Sequence, residues 1–286
     1  TLLTETNVPH KDNVSYFGNG NDEAHMVYNF ALPPLVLHTF YQENASKLSE
    51  WAENLEYGSP TTTYLNMLDT HDGVGLMGVK NMLSEIDIKQ LVDKAKSHGA
   101  LVSYRTKEDG SEDPYEINTT WFSALNFDNS GEDIAFQVKR FVASRCIALV
   151  LRGVPAVYLH GLIGTPNDIE GVLRSKSKRD INRKVVVEKE IFHALEDPNS
   201  RFSHIVQQFI RAAEIRIRQP AFHPNGNQQV FQLDPQLFTV LRTSPDGKSN
   251  VLAITNVANK ECSISVSLAM IGVEGDHWYD LVGRRG

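Results

Sequence analysis

Apolar residues fall first in short runs ending in polar residues, then in helical stripes, and finally in alternation. Leu2 to Thr4 reads as the end of a strand, followed by the polar loop KDNVSYFGNGNDEAH, which is long enough to have a function of its own. MVYNFALPPLVLHTFYQ is strongly apolar, and its Pro33-Pro34 pair predicts a helix entry. In ASKLSEWAENL, Leu48, Trp51 and Leu55 recur at helical spacing. Tyr64 to Leu68 reads as a strand running into DTHDG. In LSEIDIKQLVDKAKSHG, Ser84 is placed to cap a helix with Asp87, and Gly99 stands where that helix should stop. LVSYRTKEDGSEDPYEIN reads as a hairpin and polar loop. EDIAFQVKRFVASRCIALVLRG predicts a long helix stopped by Gly153, and VPAVYLHG a short buried strand. NSRFSHIVQQFIRAAEIRIRQ predicts an amphipathic helix capped by Asn199 or Ser200. After Pro220, the alternating segments QVFQL, LFTVLR, NVLAITNV and CSISVSL, with turn signals such as Asp246-Gly247, read as antiparallel strands.

Strands followed by helices up to residue 222 indicate an α/β architecture with a parallel sheet. About three strands are visible there, which leaves part of a barrel and an independent layered sheet both open. The excursion over 79–122 has the look of an inserted subdomain. TLLTET begins like the middle of a buried strand and has no Met, so the chain is expected to be a piece of something longer.

At 286 residues, 41% hydrophobic and 22% charged, the chain can bury a substantial core. A net charge of −7 without a basic block argues against a nucleic-acid partner. Cys146 and Cys262 show no motif spacing, so neither a disulfide framework nor a zinc site is expected, and a reducing cytoplasm fits. No apolar run is of membrane-spanning length and no signal peptide opens the chain, so no membrane partner is expected.

The chemistry-bearing residues sit where strands end. Glu5 follows the first strand and His71-Asp72 the run from Tyr64. In β/α barrels such positions face the active site, and a carboxylate pair there suits glycoside chemistry, with one acid and one nucleophile or stabiliser. The plainer reading makes DTHDG a capped turn. His160, at the end of GVPAVYLHG, is more simply structural. SKSKRDINR concentrates Arg179, Asp180, Asn182 and Arg183 in a loop, and arginine suits bidentate capture of phosphate or carboxylate. Lys176 and Lys178 beside them favour a merely solvated basic stretch. DPYEINTTWF places Asp113, Tyr115 and Glu116 on a loop with an aromatic able to wall a sugar, or else on a surface hairpin.

Taken in order, FALPPL, LDTHDG, YEINTTWFSAL, GVPAVY and RDINR resemble the sucrose phosphorylase-like glycoside phosphorylases of the α-amylase superfamily, in their C-terminal portion. The resemblance covers almost the whole chain and is strongest over 26–183. DTHDG followed by RDINR is specific to that branch, whereas GVPAVY is shared across the superfamily. It implies the second half of a TIM (β/α)8 barrel with an inserted subdomain, followed by a truncated antiparallel β C-terminal domain. The corresponding divisions are 1–78 for barrel strands five to seven, 79–122 for the insertion, 123–222 for the end of the barrel and 223–286 for an incomplete β domain.

The resemblance also implies roles. Glu5 matches the general acid/base, Asp72 the stabiliser of the oxocarbenium-like transition state, and His71 a residue that holds another sugar hydroxyl. Asp113, Tyr115, Glu116 and Arg179 match positions that handle the leaving group or the incoming phosphate, and Arg179 is the best candidate for the cation that phosphorolysis requires. Sucrose phosphorylases carry Gln at the position of Glu116 and His at that of Asn7, so fructose specificity is in doubt. GNDEAHMVYNFALPPL is closer to relatives acting on glucosylglycerol or glucosylglycerate. Glu116 would repel glycerate unless Arg179 screens it, which leans the reading towards glycerol.

The family's nucleophile precedes residue 1, together with an Arg and a sugar-binding His, and the tail YDLVGRRG stops where the family's β domain runs further. The expected function is therefore the C-terminal portion of a retaining α-glucoside phosphorylase that makes α-glucose 1-phosphate, with the isolated chain inactive. Its partners would be a small carbohydrate and inorganic phosphate, with no metal or organic cofactor. A hydrolase or transglucosidase on the same scaffold, and a non-catalytic half-barrel that self-associates, are the rivals.

Overall fold

A computed structural model describes residues 1–127, 131–273 and 278–283. Four short strands, β1 (Leu3–Thr4), β2 (Met26–Tyr28), β3 (Thr63–Asn66) and β7 (Val154–Pro155), lie parallel and side by side in chain order. Parallel neighbours need crossovers on one face of the sheet. The first carries α1 (His10–Ser15), and the second carries α2 (Leu32–Gln42) and α3 (Ser46–Glu53). Pro33 and Pro34 occupy the first turn of α2, where a missing N–H is harmless. Leu32 to Phe40 are all buried, so α2 lies inside the protein rather than across its surface. This arc of strands is part of a β/α barrel wall, with all strand C-termini on one rim.

The excursion between β3 and β7 is built on a three-stranded antiparallel sheet. β4 (Val74–Gly75) and β5 (Leu101–Thr106) pair on either side of β6 (Glu112–Asn118), and α4 (Glu85–Ser97) covers the sheet. Ser84 and Asp87 form the reciprocal capping box expected of them, and Gly99 follows the helix at φ +86°. The sheet begins at Val74, ahead of residue 79, and Leu91, Val92 and Ala95 enter the same core as Leu35, Trp121 and Phe141. The excursion therefore shares the barrel's core and has no separate one.

α5 (Trp121–Leu125) and α6 (Ile134–Val150) lead into β7, followed by α7 (Leu159–Ile163), α8 (Ile169–Ser175), α9 (Glu188–Glu196) and α10 (Arg201–Arg218). Ser200 supplies the cap of α10, accepting from the Ser203 N–H. VPAVYLHG is a strand only over Val154–Pro155, and His160 lies in α7, where its Nδ1 is 2.9 Å from Thr165 Oγ1. β8 (Asn227–Phe231), β9 (Leu237–Thr243) and β10 (Asn250–Asn256) form an antiparallel sheet in the order β10-β9-β8. CSISVSL forms no strand, although its burial still alternates from Cys262 to Ser267. Alternation makes a segment fit for a sheet, but a strand also requires a partner ladder. Residues 284–286, which end the YDLVGRRG tail, lie outside the described residues. No helix of the described residues is long and apolar enough to cross a membrane.

Arg242, fully buried on β9, joins this sheet to the barrel. It donates to the carbonyls of Val150 (2.9 Å), His223 (2.9 Å) and Asn227 (3.1 Å). Arg216 donates to Leu149 O and Gly153 O. Two guanidiniums thus serve the C-terminal carbonyls around the end of α6, where the helix dipole favours positive charge. Burial pushes the Arg242 guanidinium down to about 10. Arg242→Met should leave three carbonyls unpaired and cost about 3 kcal/mol, read as a lower urea midpoint.

Candidate active site

The loop leaving β3 is held along its length. The Asp72 N–H donates to Thr70 Oγ1 (3.0 Å), and Asn182 Nδ2 donates to Thr70 O (3.1 Å) and Asp72 O (2.9 Å). Arg183 donates from Nε to His71 O (2.7 Å) and from Nη2 to Asp72 Oδ1 (3.0 Å). Gly73 closes the bend because a Cβ there would lie 2.5 Å from Ile117 O and 2.7 Å from Glu116 Cγ. The two side chains that could do chemistry point outward: His71 is 61% exposed and Asp72 29%. Their 3.7 Å separation is longer than a hydrogen bond.

Arg179 unites the candidates. Its Nε and Nη2 fork onto Glu116 at 3.1 and 2.9 Å, and its Nη1 lies 3.0 Å from Asp72 Oδ1. The Glu116 hydrogen bonds, and then the charges of Glu116 and Asp72, push the Arg179 guanidinium up. The RDINR segment is a 3-10 turn over Lys178–Asn182, not an open loop, and this brings Arg179, Asn182 and Arg183 to the end of β3.

Asp113, Tyr115 and Glu116 lie in strand β6 rather than on a loop, because β5 pairs along the segment and β4 joins its other edge at Glu116 and Ile117. β5 pairs Ser103 with Glu116 and Arg105 with Asp113, with a register irregularity between Ser103 and Tyr104 that leaves Tyr115 as the extra residue, so Asp113 and Glu116 lie on the same face of the sheet. Asp113 has cations of its own, Lys80 Nζ (2.5 Å), Arg105 Nη2 (2.9 Å) and Lys107 Nζ (4.0 Å). Half-buried Tyr115 accepts the Leu76 N–H at its carbonyl, 2.9 Å away. Glu5 is exposed immediately beyond β1. Burial, and then the Glu5 charge, push up the Tyr28 phenol at the end of β2. Asn7 packs so closely on Gly75 that a Cβ there would meet its carboxamide at 2.6 Å, which couples the Glu5 segment to the excursion.

The structure thus gathers His71, Asp72, Glu116 and Arg179, leaves Glu5 on the same rim beyond β1, and gives Asp113 a separate set of cations. The partners of these groups escaped the sequence: Lys80 on Asp113, and Asn182 and Arg183 as the supports of the loop backbone. RDINR signalled the last two only as a concentration of charge. Among the described residues no group of three or more His, Cys, Asp or Glu is placed to hold a metal. A cavity of about 700 Å3 lies between α6, α10 and β10, away from this cluster.

The charge balance makes two outcomes checkable. Arg179→Ala leaves Glu116, 5% exposed, without its cation. The expected loss is about 2 kcal/mol at pH 7, below that of a fully buried pair because Arg179 itself is 43% exposed, with most of it restored in the Arg179→Ala/Glu116→Gln double variant. Urea unfolding measures both. For Asp113, burial acts to raise the carboxyl, but the hydrogen bonds from Lys80 and Arg105 outweigh it and the net direction is down. A carboxyl lower in the folded than in the unfolded state stabilises above its unfolded pKa and loses that stabilisation as pH falls through the folded one. The stability gap between wild type and Asp113→Asn should be constant above about pH 5 and shrink below about pH 4.

No protein-family model matches the chain. It is 37% identical over 283 residues to the glucosylglycerate phosphorylase of Escherichia coli, covering 99% of this chain and 49% of that protein. It is 43% identical over 230 residues to the glucosylglycerate phosphorylase of Allomeiothermus silvanus, covering 80% and 41%. Among solved structures, sucrose 6F-phosphate phosphorylase from Thermoanaerobacter thermosaccharolyticum superposes with a TM-score of 0.73 at 25% identity, over 90% of this chain and 47% of that one. The chain spans about half the length of the curated relatives it matches. With its arc of parallel strands and separate antiparallel sheets, it is a partial TIM barrel with a β domain, homologous to the sucrose phosphorylase-like glycoside phosphorylases of the α-amylase superfamily.

Proposed function

We propose that this chain is the C-terminal half of a retaining α-glucoside phosphorylase, which transfers glucose from a glucoside to inorganic phosphate and releases α-glucose 1-phosphate. The observation that carries the reading is the Arg179 guanidinium, shared between Asp72 and Glu116 on the rim where strand ends converge. In this proposal 79–122 is the inserted excursion and 223–286 an incomplete β domain.

Glu5 protonates the departing glycosidic oxygen while a carboxylate supplied by the upstream barrel half takes the anomeric carbon. Glu5 then accepts the proton of the incoming phosphate, whose oxygen displaces that carboxylate. Asp72 strengthens its hydrogen bonds to ring hydroxyls as positive charge grows on the sugar, and His71 holds a neighbouring hydroxyl. Arg179 offers phosphate a permanently charged guanidinium, with Tyr115, Glu116 and Asp113 lining the leaving-group side.

For the acceptor, we favour glycerate. The argument for glycerol rested on Glu116 repelling an anion, and the bidentate Arg179 contact already neutralises Glu116. Relatives named glucosylglycerate phosphorylase are 37% and 43% identical, against 28% for one named glucosylglycerol phosphorylase. A second reading, a half-barrel that associates with another chain, draws on apolar residues at the sheet's two outer strands: Leu2 and Leu3 at β1, Val157 and Leu159 beyond β7.

Full-length protein carrying this chain should convert glucosylglycerate and phosphate to α-glucose 1-phosphate, and Arg179→Ala should lower kcat/KM at least about 10²-fold. Free glucose in place of the phosphate ester would point to a hydrolase. Phosphorolysis by the isolated 286-residue chain would contradict the division of the site between two halves. A monomer in light scattering would remove the association reading.

A further inference from the structure

We propose that Arg145 and Asp69 form a buried positioning pair that sets where the loop presents His71 and Asp72. The inference rests on the proposed function for its effect on turnover, and on the structure alone for its effect on the loop.

Asp69 stands at the foot of the loop, three residues before Asp72, with its side chain turned inward and 6% exposed. Arg145, on α6 and 2% exposed, forks onto it with Nη1–Oδ1 at 2.7 Å and Nη2–Oδ2 at 2.6 Å. The guanidinium is wedged against the rings of Phe141 (5.2 Å) and Trp121 (6.0 Å), and Trp121 is itself tied to Ser144 Oγ at 2.9 Å. Arg145 cannot turn without disturbing these packed aromatic rings, and it holds both oxygens of Asp69. Gly161 makes room for the pair: a Cβ there would lie 1.7 Å from Arg145 Nη2 and 2.3 Å from Asp69 Oδ2.

A buried ion pair gives little net stability compared with apolar residues of the same volume, because both charges lose their water. What the fork supplies is geometry. It fixes both carboxylate oxygens of Asp69 and so fixes the entry of the backbone into residues 70–72. The far side of that backbone is bracketed by Asn182, whose carbonyl accepts the Tyr158 hydroxyl at 3.1 Å. Burial, and then the charge of Asp69, push up the Tyr158 phenol. Release of the foot would let the loop turn about the bracket and carry Asp72 away from Arg179.

The experiment compares wild type, Arg145→Lys and the volume-matched Asp69→Leu/Arg145→Met. The double variant should unfold at or above the wild-type temperature. In the chain itself, its Asp72 amide, held by Thr70 Oγ1, should exchange with solvent at least about tenfold faster while β9 amides are unchanged. In the full-length protein, kcat for phosphorolysis should fall about 10²-fold with KM little moved. Arg145→Lys keeps the charge and loses the fork, so it should shift both readouts the same way by less, and it serves if the double variant does not fold. A folded variant with wild-type exchange at Asp72 and unchanged kcat would overturn the proposal. Absence of phosphorolysis in the full-length wild type would count against the proposed function instead, and amide exchange would still decide the positioning role.

Discussion

The parallel alignment of β1, β2, β3 and β7 is the constraint on which the rest depends. Parallel strands cannot be joined by tight turns, so each link has to cross back along the sheet, and every strand then ends on the same rim. Glu5, Tyr28 and the His71-Asp72 pair are far apart in the chain, yet all follow or close a strand and therefore share that rim. The buried helix α2 and the common core of barrel and excursion keep the strands in register, and the strands in turn fix where the polar residues emerge.

On that rim, charge neutralisation organises the site. Asp72 and Glu116 would repel each other if left alone, and Glu116 is almost wholly removed from water. Arg179 answers both with one planar group, while Arg183 and Asn182 hold the backbone that delivers Asp72. The result is a polar cluster in which two carboxylates share one guanidinium and the loop backbone is held separately by Asn182 and Arg183.

The excursion explains why the placement of Asp113, Tyr115 and Glu116 escaped a reading from local pattern. DPYEIN contains turn formers and looks like a loop, but β4 and β5 arrive on both edges and make it a strand. A register irregularity in that strand then leaves Asp113 and Glu116 on one face, where they are told apart by their cations: Lys80, Arg105 and Lys107 for Asp113, Arg179 for Glu116. The reverse happened in CSISVSL, whose alternation is that of a strand but which has no ladder among the described residues.

What the sequence determined by itself was local or ordinal. The Ser84–Asp87 box, the proline entry of α2, the Ser200 cap and the alternation of β8, β9 and β10 depend on neighbours a few residues away and could be read directly. The order of DTHDG, GVPAVY and RDINR carried the family resemblance. Only the tertiary structure decided which charge meets which: Arg179 finds Glu116 across 63 residues, and Arg145 finds Asp69 across 76. Such pairs have no sequence period, because folding selects them by desolvation and geometry once the chain has closed, and any arginine of suitable reach would look the same in the sequence.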